Sequence, residues 1–410
     1  MYLIVSVNKV DNIAMDPVTN PYAPGAGTQP PELAGRDDIL RRTEVTLARV
    51  HQGRHAKSFM LVGLRGVGKT VLLNTITAIA ENKGYIATLV ETPENKSLPE
   101  LLVPALRRTL LRLDTKEKVN ATVKRGLMIL KAFAKAVKVK IGELELGLDI
   151  EPVRGAADSG DLETDLPDLF EAVGVAARSR GSAVAIIIDE VQYIKEAEFS
   201  ALIMAMHRIS QRQLPLILIG AGLPQLVGLV GRSKSYAERL FDYPDVGPLS
   251  TADARSALLE PSRREGVEYE DAALARAVAL TKGYPYFLQE WGYHAWNAAT
   301  RSPITLRDVE DATDDALRSL DESFFRVRFD RLTPREKDYL FAMAALGPGP
   351  HRSGDIAFEL GVAVESIAPV RSSLIRKGMV FSPAHGDTAF TVPMFDEYLH
   401  RTASAKQDDD

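Results

Sequence analysis

The chain has 410 residues, 45% of them hydrophobic and 26% charged, with a mean hydropathy of −0.08, the composition of a packed globular protein with room for about two to four domains. Fifty Lys and Arg against 55 Asp and Glu leave a net charge of −5, which excludes an overall positive coat and leaves room for a local basic face. The absence of cysteine excludes disulfide frameworks, thiolate nucleophiles and cysteine metal sites, and the seven histidines are too scattered to form a metal pattern. The longest apolar runs, 183–188 and 214–221, fall short of the roughly 18 residues that cross a bilayer, so no membrane partner is expected. Residues 1–10 carry no basic leader, and the expected location is cytoplasmic.

In chain order, residues 1–32 contain Pro17, Pro21, Pro24, Pro30 and Pro31 with Gly25 and Gly27, a composition that predicts an extended arm lying over a domain. From 33 to 247, helical stretches alternate with short β-branched runs at 59–62, 86–90, 183–188 and 216–219. That alternation predicts an α/β core, a parallel sheet between helical layers. A charged insertion spans about 105–165: residues 105–140 hold eleven Lys and Arg against two acids, and 141–171 hold ten acids against one Arg. Either the two blocks pair within the chain or the basic one forms a nucleic-acid or membrane-surface patch, and 137–150 reads as an inserted hairpin.

Beyond Pro248 the strand signals stop, and amphipathic stretches at 251–260, 270–281, 285–299 and 306–320 predict a helical lid over 248–320. Thr333-Pro334-Arg335-Glu336 has the residues of a capping box and predicts a helix over 334–345. Helices at 353–360 and 365–377 and strands at 379–382 and 389–392 complete a winged helix over 321–402, with an acidic tail at 403–410.

The strongest motif is Gly63-Leu64-Arg65-Gly66-Val67-Gly68-Lys69-Thr70, which follows an apolar strand, precedes a helix containing Val71, and fits G-x-x-x-x-G-K-[ST]. Glycines let backbone N–H groups curl around a phosphate, the helix N-terminus adds the positive end of its dipole, Lys69 reaches the β and γ oxygens and Thr70 can ligate Mg²⁺. The apolar run 183–188 ends in Asp189-Glu190, two carboxylates at the C-terminal edge of a central strand. Asp189 there suits a Mg²⁺ ion, and Glu190 suits polarisation of an attacking water, which points to hydrolysis of ATP rather than binding alone.

Weaker candidates surround these. Gly35-Arg36-Asp37 stands about thirty residues before the loop and reads equally as a helix start or as a nucleotide contact. Arg232 and Arg239 follow the fourth strand, where a protruding cation can reach the γ-phosphate of a neighbouring copy or simply stay on the surface. Gly283-Tyr284-Pro285 breaks the chain before a helix, and Tyr284, Tyr286 and Phe287 can pack on adenine or on core. In the last module the recognition helix offers Arg371, Ser372, Arg376 and Lys377, with His385 at the tip of the wing, a modest basic surface that suits either duplex DNA or a structural role.

Taken in order, these motifs resemble P-loop ATPases of the AAA+ superfamily near the origin-recognition clade, overlapping with the STAND ATPases that act as signalling switches, over about 30–400. The resemblance implies that Arg36 lies near the adenine or phosphates, that Arg239 in Ala237-Glu238-Arg239-Leu240-Phe241 is the likelier arginine finger of the two, acting in trans within a homo-oligomer, and that Pro285 approaches the base. Two departures stand out. The fourth strand ends in Gly220-Ala221-Gly222 without a polar γ-phosphate sensor, Gln225 being a distant substitute, and the lid helix carries aromatic residues where origin-recognition proteins carry a sensor arginine. The sequence therefore leads to an ATP- and Mg²⁺-dependent, slowly turning switch whose nucleotide state controls a C-terminal winged helix that binds double-stranded DNA. The alternative is a STAND-like regulatory ATPase whose winged helix docks a protein partner or acts as a brake, and a small-molecule kinase is disfavoured for want of an acceptor pocket.

Overall fold

The computed structural model describes residues 14–25, 27–114, 121–139, 151–228 and 237–408. Four strands fall where the apolar runs predict them: β1 (Ser58–Val62), β2 (Tyr85–Glu91), β3 (Ala183–Asp189) and β4 (Leu216–Gly222). A fifth, β5 (Phe241–Asp242), was not expected, because two residues leave no periodicity to read. The sheet is parallel throughout, in the order β2-β3-β4-β1-β5, with Glu91 opposite Asp189 and Ile188 opposite Gly220.

Because side chains alternate across a strand, the two faces of the sheet build two separate cores. Phe59, Leu61, Ile187 and Ile219 pack with Leu47 of α1 (Asp37–His51) and Leu72 and Ile76 of α2 (Lys69–Asn82). Met60, Ile186, Ile188 and Leu218 pack on the opposite face against α3 (Leu98–Arg112), α4 (Ala121–Ala136), α5 (Leu162–Ser179) and α6 (Glu196–Gln211). All seven residues of β3 are buried, as a strand covered on both faces and on both edges must be.

Three acids of the two charged blocks pair with arginines outside them. Asp168 and Glu171 meet Arg208 and Arg212 at the C-terminal end of α6, and Asp114 meets Arg180 at 3.0 Å. Residues 140–150, where most of the inserted hairpin is expected, lie outside the described residues.

After the short α7 (Ala237–Leu240), the helices α8 (Thr251–Arg264), α9 (Asp271–Thr281) and α10 (Pro285–Ala298) match expectation closely. The stretch at 306–320 is divided at Ala312 into α11 (Leu306–Asp311), which starts on a Thr305/Asp308 capping box, and α12 (Thr313–Leu320). One π-helical turn, Asp321–Phe325, leads into α13 (Arg326–Phe329). The C-terminal module then follows: α14 (Pro334–Ala345), β6 (His351–Arg352), α15 (Ser353–Glu359), α16 (Val364–Arg376), β7 (Val380–Phe381) and β8 (Asp387–Phe390), the strands forming an antiparallel sheet in the order β6-β8-β7. A final helix, α17 (Phe395–Asp408), occupies much of the segment read as an acidic tail. Its Phe395, Tyr398 and Leu399 are buried, and this short apolar run is what ties the segment down.

The helical region and the C-terminal module share one continuous apolar cluster. Phe287 of α10 meets Phe324 and Phe325 of the π turn, and Phe325 in turn meets Phe395 and Tyr398 of α17. The N-terminal arm joins the same cluster: Tyr22 is buried against Gly292, its hydroxyl donating to the Leu258 carbonyl, and a Cβ at Gly292 would lie 2.6 Å from the Tyr22 ring.

Candidate functional site

The loop between β1 and α2 is shaped by its glycines. Gly66 and Gly68 hold φ of +78° and +89°, the left-handed region that favours glycine, so the chain turns sharply and starts α2 at Lys69 with the first N–H groups of the helix unsatisfied by the helix itself. Gly63 packs so closely that a Cβ would lie 2.2 Å from the Val246 carbonyl oxygen. Lys69 folds back over the loop, donating to the carbonyls of Gly63 (2.9 Å) and Leu64 (2.8 Å). Burial pushes its ammonium down to about 8, against the attraction of Glu190 and Asp189. A lysine held this way is a charge waiting for an anion.

Beside it, the Thr70 hydroxyl donates to Asp189 Oδ2 at 2.6 Å, and burial raises the Asp189 carboxyl above the usual range despite that bond. This hydroxyl and carboxylate converge where a divalent cation could sit, and an ion there would relieve the desolvated carboxylate. Glu190 follows with φ +55°, ψ +40°, an uncommon conformation for a residue with a Cβ. Its carboxylate accepts from Gln192 Nε2 and lies 3.8 Å from Arg65 Nη1. Arg65 is also tied to the C-terminal module, its backbone N–H donating to Thr391 O (3.0 Å) and its Nε to Gly378 O (3.4 Å), while Nη2 donates to Tyr193 (2.9 Å).

The end of β4 is crowded, which gives a packing reason for the missing polar sensor. A Cβ at Gly220 would lie 2.2 Å from Met60 Sδ, and one at Gly222 would lie 2.9 Å from Gln192 Oε1, which itself accepts from the Leu223 N–H. Gln225 turns away and donates to Ile375 O of α16 at 3.3 Å.

A cavity of about 280 Å³ opens above the loop, lined by Arg65, Gly66, Gly68, Lys69, Thr70, Val71 and Glu190. Arg36 and Pro285 also line it. Arg36, however, donates to the backbone carbonyls of Val67 (3.1 Å) and Gly247 (2.7 Å), clipping the loop to the segment after β5. Gly63 and buried Val67 shape the loop from behind and do not line the cavity. Arg239 is exposed on α7 and away from the lining, and Arg232 lies outside the described residues.

Several lining residues carry no signal in the sequence: arm residues Ala23, Gly25, Gly27 and Thr28, and, from the opposite side, Phe324 and Arg328. Only the aromatic run after Gly283 hinted at this wall, through Tyr286, which lines it. On the C-terminal module, Arg371 donates to Thr388, to Ser382 and to the Asp387 carbonyl, and Lys377 pairs with Glu336 at 2.7 Å. Arg376 and His385 remain exposed.

Residues 32–219 match the model of the AAA ATPase domain. The ATPase fold extends beyond that stretch: the Walker-type ATPase PABY2304 of Pyrococcus abyssi superposes over 90% of this chain and 96% of its own, with a TM-score of 0.59 at 17% identity. The ORC2 protein of Aeropyrum pernix superposes over 94% of this chain and 98% of its own, with a TM-score of 0.51 at 14% identity. At such identities the likeness is one of fold. Residues 322–399, beyond the ATPase domain, match a domain of unknown function (DUF8462). No curated protein matches the sequence.

Proposed function

We propose that the chain is a Mg²⁺-dependent ATPase switch in which the nucleotide sets the position of the C-terminal module, read here as a winged helix. The observation that carries the switch is Arg65. It belongs to the phosphate-binding loop, faces Glu190 and holds two carbonyls of the C-terminal module, Thr391 through its backbone N–H and Gly378 through its side chain, so a shift of the loop or of this side chain is passed to the module.

In this reading Lys69 leaves the Gly63 and Leu64 carbonyls for the β- and γ-phosphates, and the glycine loop supplies backbone N–H groups. Thr70 and Asp189 hold Mg²⁺, which when bound neutralises charge on the phosphates. Glu190 turns from Arg65 toward the attacking water and orients it, and Arg239, exposed on α7, serves a neighbouring copy in trans. Glu190→Gln should bind ATP while losing about 10²–10⁴-fold in turnover. Normal hydrolysis by that variant would remove Glu190 from the chemistry.

The absence of cysteine makes the switch easy to measure. Labels on cysteines introduced at the exposed positions Gln52 and His385 should report different distances with ATP, with ADP and with no nucleotide, and equal distances in all three states would overturn the switch. For duplex DNA, Arg371 and Lys377 are already bonded within the module, leaving Arg376 and His385 outward. Anisotropy of labelled duplex across a salt series should therefore show a shallow slope, about −1 for the one outward guanidinium. No binding in any nucleotide state would turn the search to a protein partner.

A further inference from the structure

Arg328 lies in α13, on the segment that leads from the helical region into the C-terminal module, and its side chain reaches the cavity that holds Lys69, Thr70 and Glu190. Among the described residues no carboxylate lies within ion-pair distance of it, and its one hydrogen bond goes from Nη1 to the Phe324 carbonyl. A guanidinium has five N–H donors, so most of its bonding capacity is uncommitted.

Its position is nevertheless fixed. The guanidinium carbon stands 4.3 Å from the centroid of the Phe324 ring. Phe324 stacks on Tyr286 at 4.8 Å with 24° between the planes, and the Tyr286 N–H donates to the Gly66 carbonyl at 3.2 Å. Cation, two rings and loop tip form one column, which anchors Arg328 over the phosphate loop rather than leaving it on a free tether.

The charge around it is unbalanced. The cavity is lined by four cations, Arg36, Arg65, Lys69 and Arg328, against two carboxylates, Glu32 and Glu190, and Glu32 is already paired with Arg264. Burial lowers the Arg328 guanidinium to about 10, repulsion from Arg65 acts in the same direction, and Tyr286, Glu190 and Tyr193 oppose it. Its charged neighbours are thus Arg65 and Glu190, the groups at the end of the site where water would be activated. An anion placed among these side chains would satisfy Arg328 and relieve its repulsion with Arg65.

We propose that Arg328 binds the terminal phosphate of ATP within its own chain, so that the phosphates are clasped between the glycine loop and the segment that carries the C-terminal module. The proposal rests on the ATPase reading of the site and deepens it. Loss of the terminal phosphate removes the anionic partner of Arg328, and with it one tie between module and nucleotide.

The test compares ATP and ADP affinity, by titration calorimetry with Mg²⁺, for wild type, Arg328→Met and Lys69→Ala. Methionine keeps an apolar stem over Phe324 and removes the charge. Arg328→Met should lose at least about tenfold in ATP affinity with ADP affinity changed by less than about threefold, and the nucleotide-free protein should melt no lower than wild type, since a half-buried unpaired cation has been removed. Unchanged ATP affinity, or equal losses for ATP and ADP, would overturn the proposal. Were Arg328→Met not to fold, Arg328→Lys decides in the same assay, because it keeps the charge and loses the fork that grips two oxygens: selective loss of ATP is expected, and an unchanged ratio overturns the proposal. Lys69→Ala losing both nucleotides while Arg328→Met keeps both would leave the ATPase reading standing and sink this one, whereas wild type binding neither nucleotide would sink both.

Discussion

The two walls of the cavity are built in opposite ways. One is local: eight consecutive residues from Gly63 to Thr70 curl into a backbone cradle between a strand and a helix, with Asp189 and Glu190 added at the end of the next strand but one in the sheet. The other is assembled from afar, with Tyr286, Phe324 and Arg328 more than two hundred residues downstream and the arm residues about forty upstream. The local wall depends on glycine geometry and survives as long as the turn does. The distant wall stands only because the arm, the helical region and the C-terminal module share one core.

The largest effect expected from breaking the distant wall comes from Phe325, which is fully buried between α10 and α17. Phe325→Ala should cost about 3–5 kcal/mol, and because the cluster is continuous, the helical region and the C-terminal module should lose stability together in a single denaturant transition. Two separated transitions, only one of them shifted, would show that the regions are independent after all.

A smaller effect tests the C-terminal module by itself. Burial opposes ionisation of Glu336, but hydrogen bonds from Lys377, the Thr333 backbone, Ser373 and the Thr333 hydroxyl outweigh it and hold the carboxyl at about 2. A carboxyl depressed in the folded state stabilises fully above its unfolded value near 4.5 and loses that contribution as pH falls toward 2. Glu336→Gln should cost about 2 kcal/mol at neutral pH and flatten the acid limb of the stability curve between pH 4.5 and 2, followed by urea melts across that range.

The subtlest effect lies in the local wall. Lys69 titrates at about 8 in the folded chain against 10.5 for the ordinary ammonium, so its burial lowers stability most below pH 8, and that cost is relieved as pH rises toward 10.5. Phosphates raise its affinity for the proton again. ATP binding near pH 9 should therefore take up a fraction of one proton, and almost none near pH 7, as measured by calorimetry in two buffers of different ionisation enthalpy. Equal uptake at both pH values would mean that Lys69 does not meet the phosphates.

Much of the architecture was legible because it is periodic or punctuated. The β-branched runs of β1 to β4, the Pro285 start of α10 and the Thr333/Glu336 box at α14 each sit within a residue or a few of where the pattern puts them. Elements with too few residues to show a period were not legible: β5 with two, and the break at Ala312. The same holds for side chains whose partners are remote. Arg36 reads equally as a helix start or a nucleotide contact, and nothing in the sequence puts the Val67 and Gly247 carbonyls beside it; Arg371 reads as part of a surface for DNA or a structural role, and its bonds to the wing are equally absent from any local pattern.

The sequence by itself determined the phosphate loop, the acid pair at the end of β3 and the parallel sheet between them, because glycine conformations, strand alternation and helix capping are set by neighbours along the chain. Only the tertiary structure decided what closes the other side. Which arginine meets the loop, why β4 ends in glycines rather than a polar sensor, and how Arg65 joins Glu190 to the C-terminal module all depend on side chains brought within 4 Å from distant segments, and no local pattern encodes that proximity.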